Sequence, residues 1–94
     1  DDLSSAIDFV IKNNISDSLL NVGSGYEISI SELVKKIQKV IDFKGKIDFD
    51  NTKPDGNPRK LLDSSKLFNY GWKPKIELTQ GIEQTYDWFI KNIN

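Results

Sequence analysis

The chain has 94 residues, 37% apolar and 29% charged, with a formal net charge of −1, which bounds it to one globular domain with a modest core. Charge so close to neutral excludes a global attraction to nucleic acid or anionic membrane, so any anion site is local; no apolar run approaches the roughly 20 residues of a membrane span, and no signal peptide is visible. Cys, His and Met are all absent, which excludes disulfides, thiol nucleophiles, imidazole bases and the usual zinc ligand sets from this chain.

In chain order, residues 2–13 read as a helix, with Leu3, Ala6, Ile7, Val10 and Ile11 on one face at helical spacing. Asp2 is the expected N-cap. Phe9 lies off the stripe, either as a partly exposed aromatic at its edge or as a contact to a partner domain. The sequence opens directly on this helix, which suggests a piece of a longer protein. Residues 18–22, SLLNV, read as a short strand, followed by the turn GSG. A second helix is expected from Ile30 to Asp42. Ser29 and Glu32 have the spacing of a capping box, Ile28 and Leu33 that of a hydrophobic staple, and Ile30, Leu33, Val34, Ile37, Val40 and Ile41 form the stripe. KIDFD at 46–50 reads as a second strand with Ile47 and Phe49 on one face. Strand, helix and strand of these lengths predict a right-handed parallel βαβ unit. After a polar loop, a short helix is expected, capped by Asp63 and stopped near Gly71. The last helix spans Thr79 to Asn92, with Ile82, Thr85, Tyr86, Phe89, Ile90 and Ile93 on one side and Trp88 extending that face. The predicted fold class is α/β: a small sub-domain holding one βαβ unit and flanking helices.

Few features carry chemistry. VGSG at 22–25 fits neither G-x-G-x-x-G nor G-x-x-x-x-G-K-[ST] and reads as a structural turn. Asp48 and Asp50 share one side of the second strand, and Glu77, Glu83 and Asp87 lie near the last helix. Nothing converges on them, so a solvated face is expected rather than an acid–base pair. Tyr-x-x-x-Lys is absent. Trp72 and Trp88 flank Pro74 and read as core packing. KPDGNPRK at 53–60 stands apart: it has no apolar side chain. Pro54 and Pro58 restrict its backbone and Asp55-Gly56 favours a tight turn. Lys53, Arg59 and Lys60 can meet at an anion, and a carboxylate beside cations suits a nucleotide better than a bare phosphate. From residue types alone the loop is either a ligand-binding element or an ordinary surface loop.

NVGSG, EISISELVKKI and KIDFDNTKPDGNPRKLLDSSKLFNYGWKPKIELTQGIEQTYDWF together resemble the end of the GDP-L-fucose synthase family, the GDP-4-keto-6-deoxymannose epimerase-reductases of the extended short-chain dehydrogenase/reductases. The resemblance covers essentially the whole chain, and KPDG-x-PRKLLD is its most specific part. It implies that residues 1–94 are the C-terminal substrate-binding portion of an enzyme whose N-terminal Rossmann domain binds NADPH and is absent here. It implies that the parent epimerises a GDP-linked keto sugar and reduces it with hydride, works in the cytoplasm and is a homodimer. The catalytic Ser, Tyr, Lys, Cys and His of the family precede this region, so no catalytic, cofactor-binding or metal residue is expected in it. Asp55 and Lys60 map to the family's nucleotide contacts, with Arg59 a weaker candidate that braces the loop. Glu77 stands where the family has Ser, which shifts the expected cap of the last helix to Thr79. The remaining alternatives are the same region of another NAD(P)-dependent nucleotide-sugar epimerase or dehydratase, and a stand-alone interaction module.

Overall fold

The computed structural model describes residues 1–56 and 59–93. It holds four helices: α1 (Asp2–Lys12), α2 (Ile30–Ile41), α3 (Ser65–Tyr70) and α4 (Leu78–Asn92). They fall into two compact units, one of Asp1–Glu27 with Leu61–Glu77 and one of Ile28–Lys60 with Leu78–Asn94.

The first unit is built on α1 and α3. Its buried apolar side chains are Ala6, Leu67 and Trp72, with Phe9, Val10, Val22 and Phe68 packed around them. The Phe68 and Trp72 rings stack with centroids 6.2 Å apart, a separation at which aromatic pairs gain beyond the area they bury. Buried indole N–H groups need an acceptor, and Trp72 Nε1 donates to Ser5 Oγ at 3.1 Å. The Asp2 carboxylate accepts from the backbone N–H groups of Lys75 and Ile76 at 3.0–3.2 Å. Asp2 therefore ties α1 to the segment after Trp72, and Asp1 takes the N-cap position in place of the expected Asp2. The α1 stripe is also divided. Ala6 is buried, whereas Leu3, Ile7 and Ile11 are 61%, 54% and 69% exposed. Phe9 turns inward onto the core rather than away from it.

Gly71 ends α3 with φ +113, a backbone conformation that a Cβ disfavours, and its N–H returns to the carbonyls of Leu67 and Phe68. At the other end Ser64, not the expected Asp63, holds the cap position, while the Asp63 carboxylate accepts from Ser65 N–H at 3.0 Å. A further tie comes from Tyr70, whose hydroxyl donates to Asp17 Oδ1 at 2.7 Å.

The second unit pairs α2 with α4. Ser29 caps α2 as its spacing predicts, its hydroxyl accepting from Glu32 N–H at 3.1 Å. Asp42 closes the helix in the left-handed region at φ 54. Lys36 Nζ donates to Thr79 Oγ1 at 3.2 Å. Thr79 thus sits inside the first turn of α4 and binds α2, so the expected cap at Thr79 is not formed. No side chain of either helix is fully buried, and Trp88, expected in the core, is 65% exposed.

The βαβ expectation is overturned. Neither 18–22 nor 46–50 forms a strand, and the described residues are helical or irregular throughout. A strand exists only through the ladder that satisfies its backbone groups, and an isolated pair is marginal even when it forms. Here the two candidate strands belong to different units.

Candidate functional site

The loop singled out by composition lies in the second unit. Lys53, Pro54, Asp55, Gly56, Arg59 and Lys60 are all exposed. Asn57 and Pro58, with the expected restriction at Pro58, lie outside the described residues. The Asp55 and Lys60 side chains make no hydrogen bond or ion pair with the rest of the described residues, and their bonding capacity stays open to a ligand. Arg59 is engaged within the chain.

The entrance to the loop is hydrogen-bonded. Asp50 Oδ1 accepts from Thr52 N–H at 2.9 Å and from Thr52 Oγ1 at 2.5 Å. These bonds, the hydroxyl's first, hold the Asp50 carboxyl below the usual carboxylate range. The sequence pattern alone groups Asp50 with Asp48 as solvated acid. The D-x-T spacing was the available signal, because Asp side chains commonly close turns onto the residue two positions on. Asp48 remains solvated and pairs with Lys46 at 3.5 Å. No group of three or more His, Cys, Asp or Glu converges on a metal-sized point among the described residues.

The Gly-rich turn belongs to the first unit. A Cβ on Gly23 would lie 3.3 Å from Ser64 Oγ and 3.4 Å from Leu62 Cβ. On Gly25, at φ +82, it would lie 3.1 Å from the Phe68 ring. The glycines let the turn press against the segment before α3. Beside them is a cavity of about 330 Å³ lined by Gly25, Leu61, Leu62, Asp63, Ser64, Ser65 and Phe68. Ser64 Oγ is buried without a hydrogen-bond partner among the described residues. The Asp63 carboxylate is held below its usual range by Ser65, the side-chain bond first and the backbone N–H second.

No protein-family model matches the chain. Individual relatives do. It is 48% identical over 93 residues to GDP-L-fucose synthase 1 of Arabidopsis thaliana, covering 99% of this chain and 29% of that protein. It is 48% identical over 75 residues to the GDP-L-fucose synthase of Escherichia coli K12, covering 80% of this chain and 23% of that one. Both of these relatives are GDP-L-fucose synthases. Among solved structures it superposes on a GDP-6-OMe-4-keto-L-xylo-heptose reductase from C. jejuni with TM-score 0.86 and 31% identity, over 99% of this chain and 30% of the other. A GDP-mannoheptose C4 reductase from Campylobacter jejuni, solved with NADP bound, matches with TM-score 0.79 and 29% identity over 96% of this chain and 29% of that one.

The chain thus spans under a third of the GDP-L-fucose synthases and GDP-sugar reductases it resembles. The chain carries no dinucleotide fingerprint. No helix among the described residues is long and apolar enough to cross a membrane.

Proposed function

We propose that this chain is the C-terminal sugar-nucleotide-binding portion of an NADPH-dependent epimerase-reductase that converts GDP-4-keto-6-deoxymannose to GDP-L-fucose. Asp55 and Lys60 are its nucleotide contacts. The observation that carries the reading is the 45–50% identity to curated GDP-L-fucose synthases across nearly the whole chain, joined to a basic, proline-stiffened loop whose Asp55 and Lys60 are exposed and uncommitted. Lys60 offers a cation to the pyrophosphate, and Asp55 accepts from a neutral donor on the ribose or guanine. Hydride and proton transfer belong to residues of the parent outside this chain, so the 94-residue chain has no turnover of its own. The parent is a cytoplasmic homodimer in this reading.

Its partner within the parent is the dinucleotide-binding domain. The exposed surface supports this. Leu3, Ile7 and Ile11, one turn apart along α1, are uncovered within this chain. That much uncovered apolar side chain speaks against a stand-alone module.

The test is a calorimetric series of GDP, UDP and dTDP against the full-length protein, with substrate-dependent NADPH oxidation measured for the full-length protein and for the 94-residue chain. Preference for GDP, with turnover confined to the full-length protein, is the expected result. Preference for UDP or dTDP would move the assignment to another nucleotide-sugar enzyme, and turnover by the isolated chain would end the reading.

A further inference from the structure

We propose that Asp50 is a positioning residue for nucleotide binding: by clamping Thr52 it sets the direction in which the chain enters the loop, and so where Asp55 stands. The inference rests on the assignment of that loop to the nucleotide.

One carboxylate oxygen of Asp50 receives both polar hydrogens that Thr52 offers, the backbone N–H at 2.9 Å and the hydroxyl at 2.5 Å. Two bonds from one residue to one oxygen close the turn at 50–52 and leave it little freedom. Within these 94 residues every residue from Ile41 to Gly56 is exposed, so no side chain buried in this chain anchors the entry to the loop. Only Lys53 and Pro54 separate the clamp from Asp55. The pyrrolidine ring of Pro54 fixes its own φ and narrows the conformations of Lys53. A direction imposed at Thr52 is therefore carried to Asp55 with little loss. A loop ordered in advance gives up less entropy when a ligand settles on it.

Asp50 is unsuited to touching the phosphates itself. Its Oδ1 already carries two donors, and a carboxylate repels an anionic ligand. That repulsion supplies a discriminating sign. If Asp50 acted only as a charge near the site, its removal would tighten GDP binding. If it positions the loop, its removal weakens binding despite the relieved repulsion.

The experiment is GDP titration calorimetry on the full-length protein carrying Asp50→Ala, Asp50→Asn, Thr52→Val or Thr52→Ser, beside Lys60→Ala and Asp55→Ala. Asp50→Ala and Thr52→Val are expected to raise Kd by about three- to tenfold. Asp50→Asn keeps an amide oxygen that accepts the same two donors, and Thr52→Ser keeps the hydroxyl, so both are expected to stay within about twofold of wild type. KM for the GDP-sugar should rise in the two disruptive variants with kcat unchanged. Unchanged or tighter GDP binding by Asp50→Ala overturns the proposal, as does a lowered Tm with unaltered Kd, which would make the clamp merely structural. If Lys60→Ala and Asp55→Ala weaken GDP binding while the clamp variants do not, this inference alone fails. If none of the six changes matters, the loop assignment fails and takes the inference with it.

Discussion

Truncating Lys60 to alanine in the full-length protein tests the loop assignment most directly. Lys60 is exposed and has no partner in the described chain, so its removal breaks no internal bond, and any lost affinity belongs to the ligand. A charge-assisted hydrogen bond is worth roughly 1.5–3 kcal/mol, and solvent exposure places Lys60 at the lower end. The expected loss is thus about tenfold in Kd for GDP at low ionic strength. It should shrink towards two- or threefold near 1 M salt, where the Debye length falls to about 3 Å. Asp55→Ala behaves differently. It removes an acceptor for a neutral donor and also a negative charge near the phosphates. It should weaken GDP by several-fold, as a lost hydrogen bond of about 1 kcal/mol implies, while leaving bare pyrophosphate unchanged or slightly tighter. Calorimetry with both ligands at two salt concentrations measures all of this. If both variants bind GDP like wild type at low salt, KPDGNPRK is only a turn and the reasoning from its composition is refuted.

The remaining expectations concern the scaffold. Leu67 is fully buried, so Leu67→Ala should cost about 2–5 kcal/mol in urea unfolding of the full-length protein; a change below about 1 kcal/mol would mean that α3 does not hold the core. Ser64 Oγ is buried without a hydrogen-bond partner among the described residues, so Ser64→Ala should be neutral or stabilising by up to about 1 kcal/mol, and a clear loss of stability in the same assay would reveal a partner. Asp63 has its folded pKa lowered by its bonds to Ser65. Its contribution is therefore complete above the ordinary carboxylate value near 3.9 and lost as pH falls through the lower folded value. Comparing wild type with Asp63→Ala across pH 2 to 6 should show the difference vanish on the acid side; a difference that survives there would remove the carboxylate from the account. With Leu3, Ile7, Ile11 and Trp88 exposed, the isolated chain should self-associate at high concentration and bind an apolar dye, and a clean monomer by sedimentation without dye binding would contradict this.

What the sequence determined by itself was local. The helices followed from apolar spacing. Their ends followed from single residues: Ser29 with Glu32 three positions on, and Gly71, whose missing Cβ permits the left-handed stop. The loop at 53–60 was conspicuous because eight residues without an apolar side chain cannot serve a core. These signals act within a turn or two of chain, where neighbouring residues settle the energy among themselves. Only tertiary structure decided the rest, because each remaining choice depends on what lies across from a residue. The segments 18–22 and 46–50 have the composition of strands but find no ladder. Leu3, Ile7 and Ile11 are as apolar as any core residue, yet α1 turns Ala6 and Phe9 inward, where the small side chain admits Leu67 and Trp72. Trp72 is buried and Trp88 exposed, although spacing treated them alike. Asp2 could have capped its own helix, but the free N–H groups of Lys75 and Ile76, more than seventy residues away, give its carboxylate more hydrogen bonds than an N-cap would.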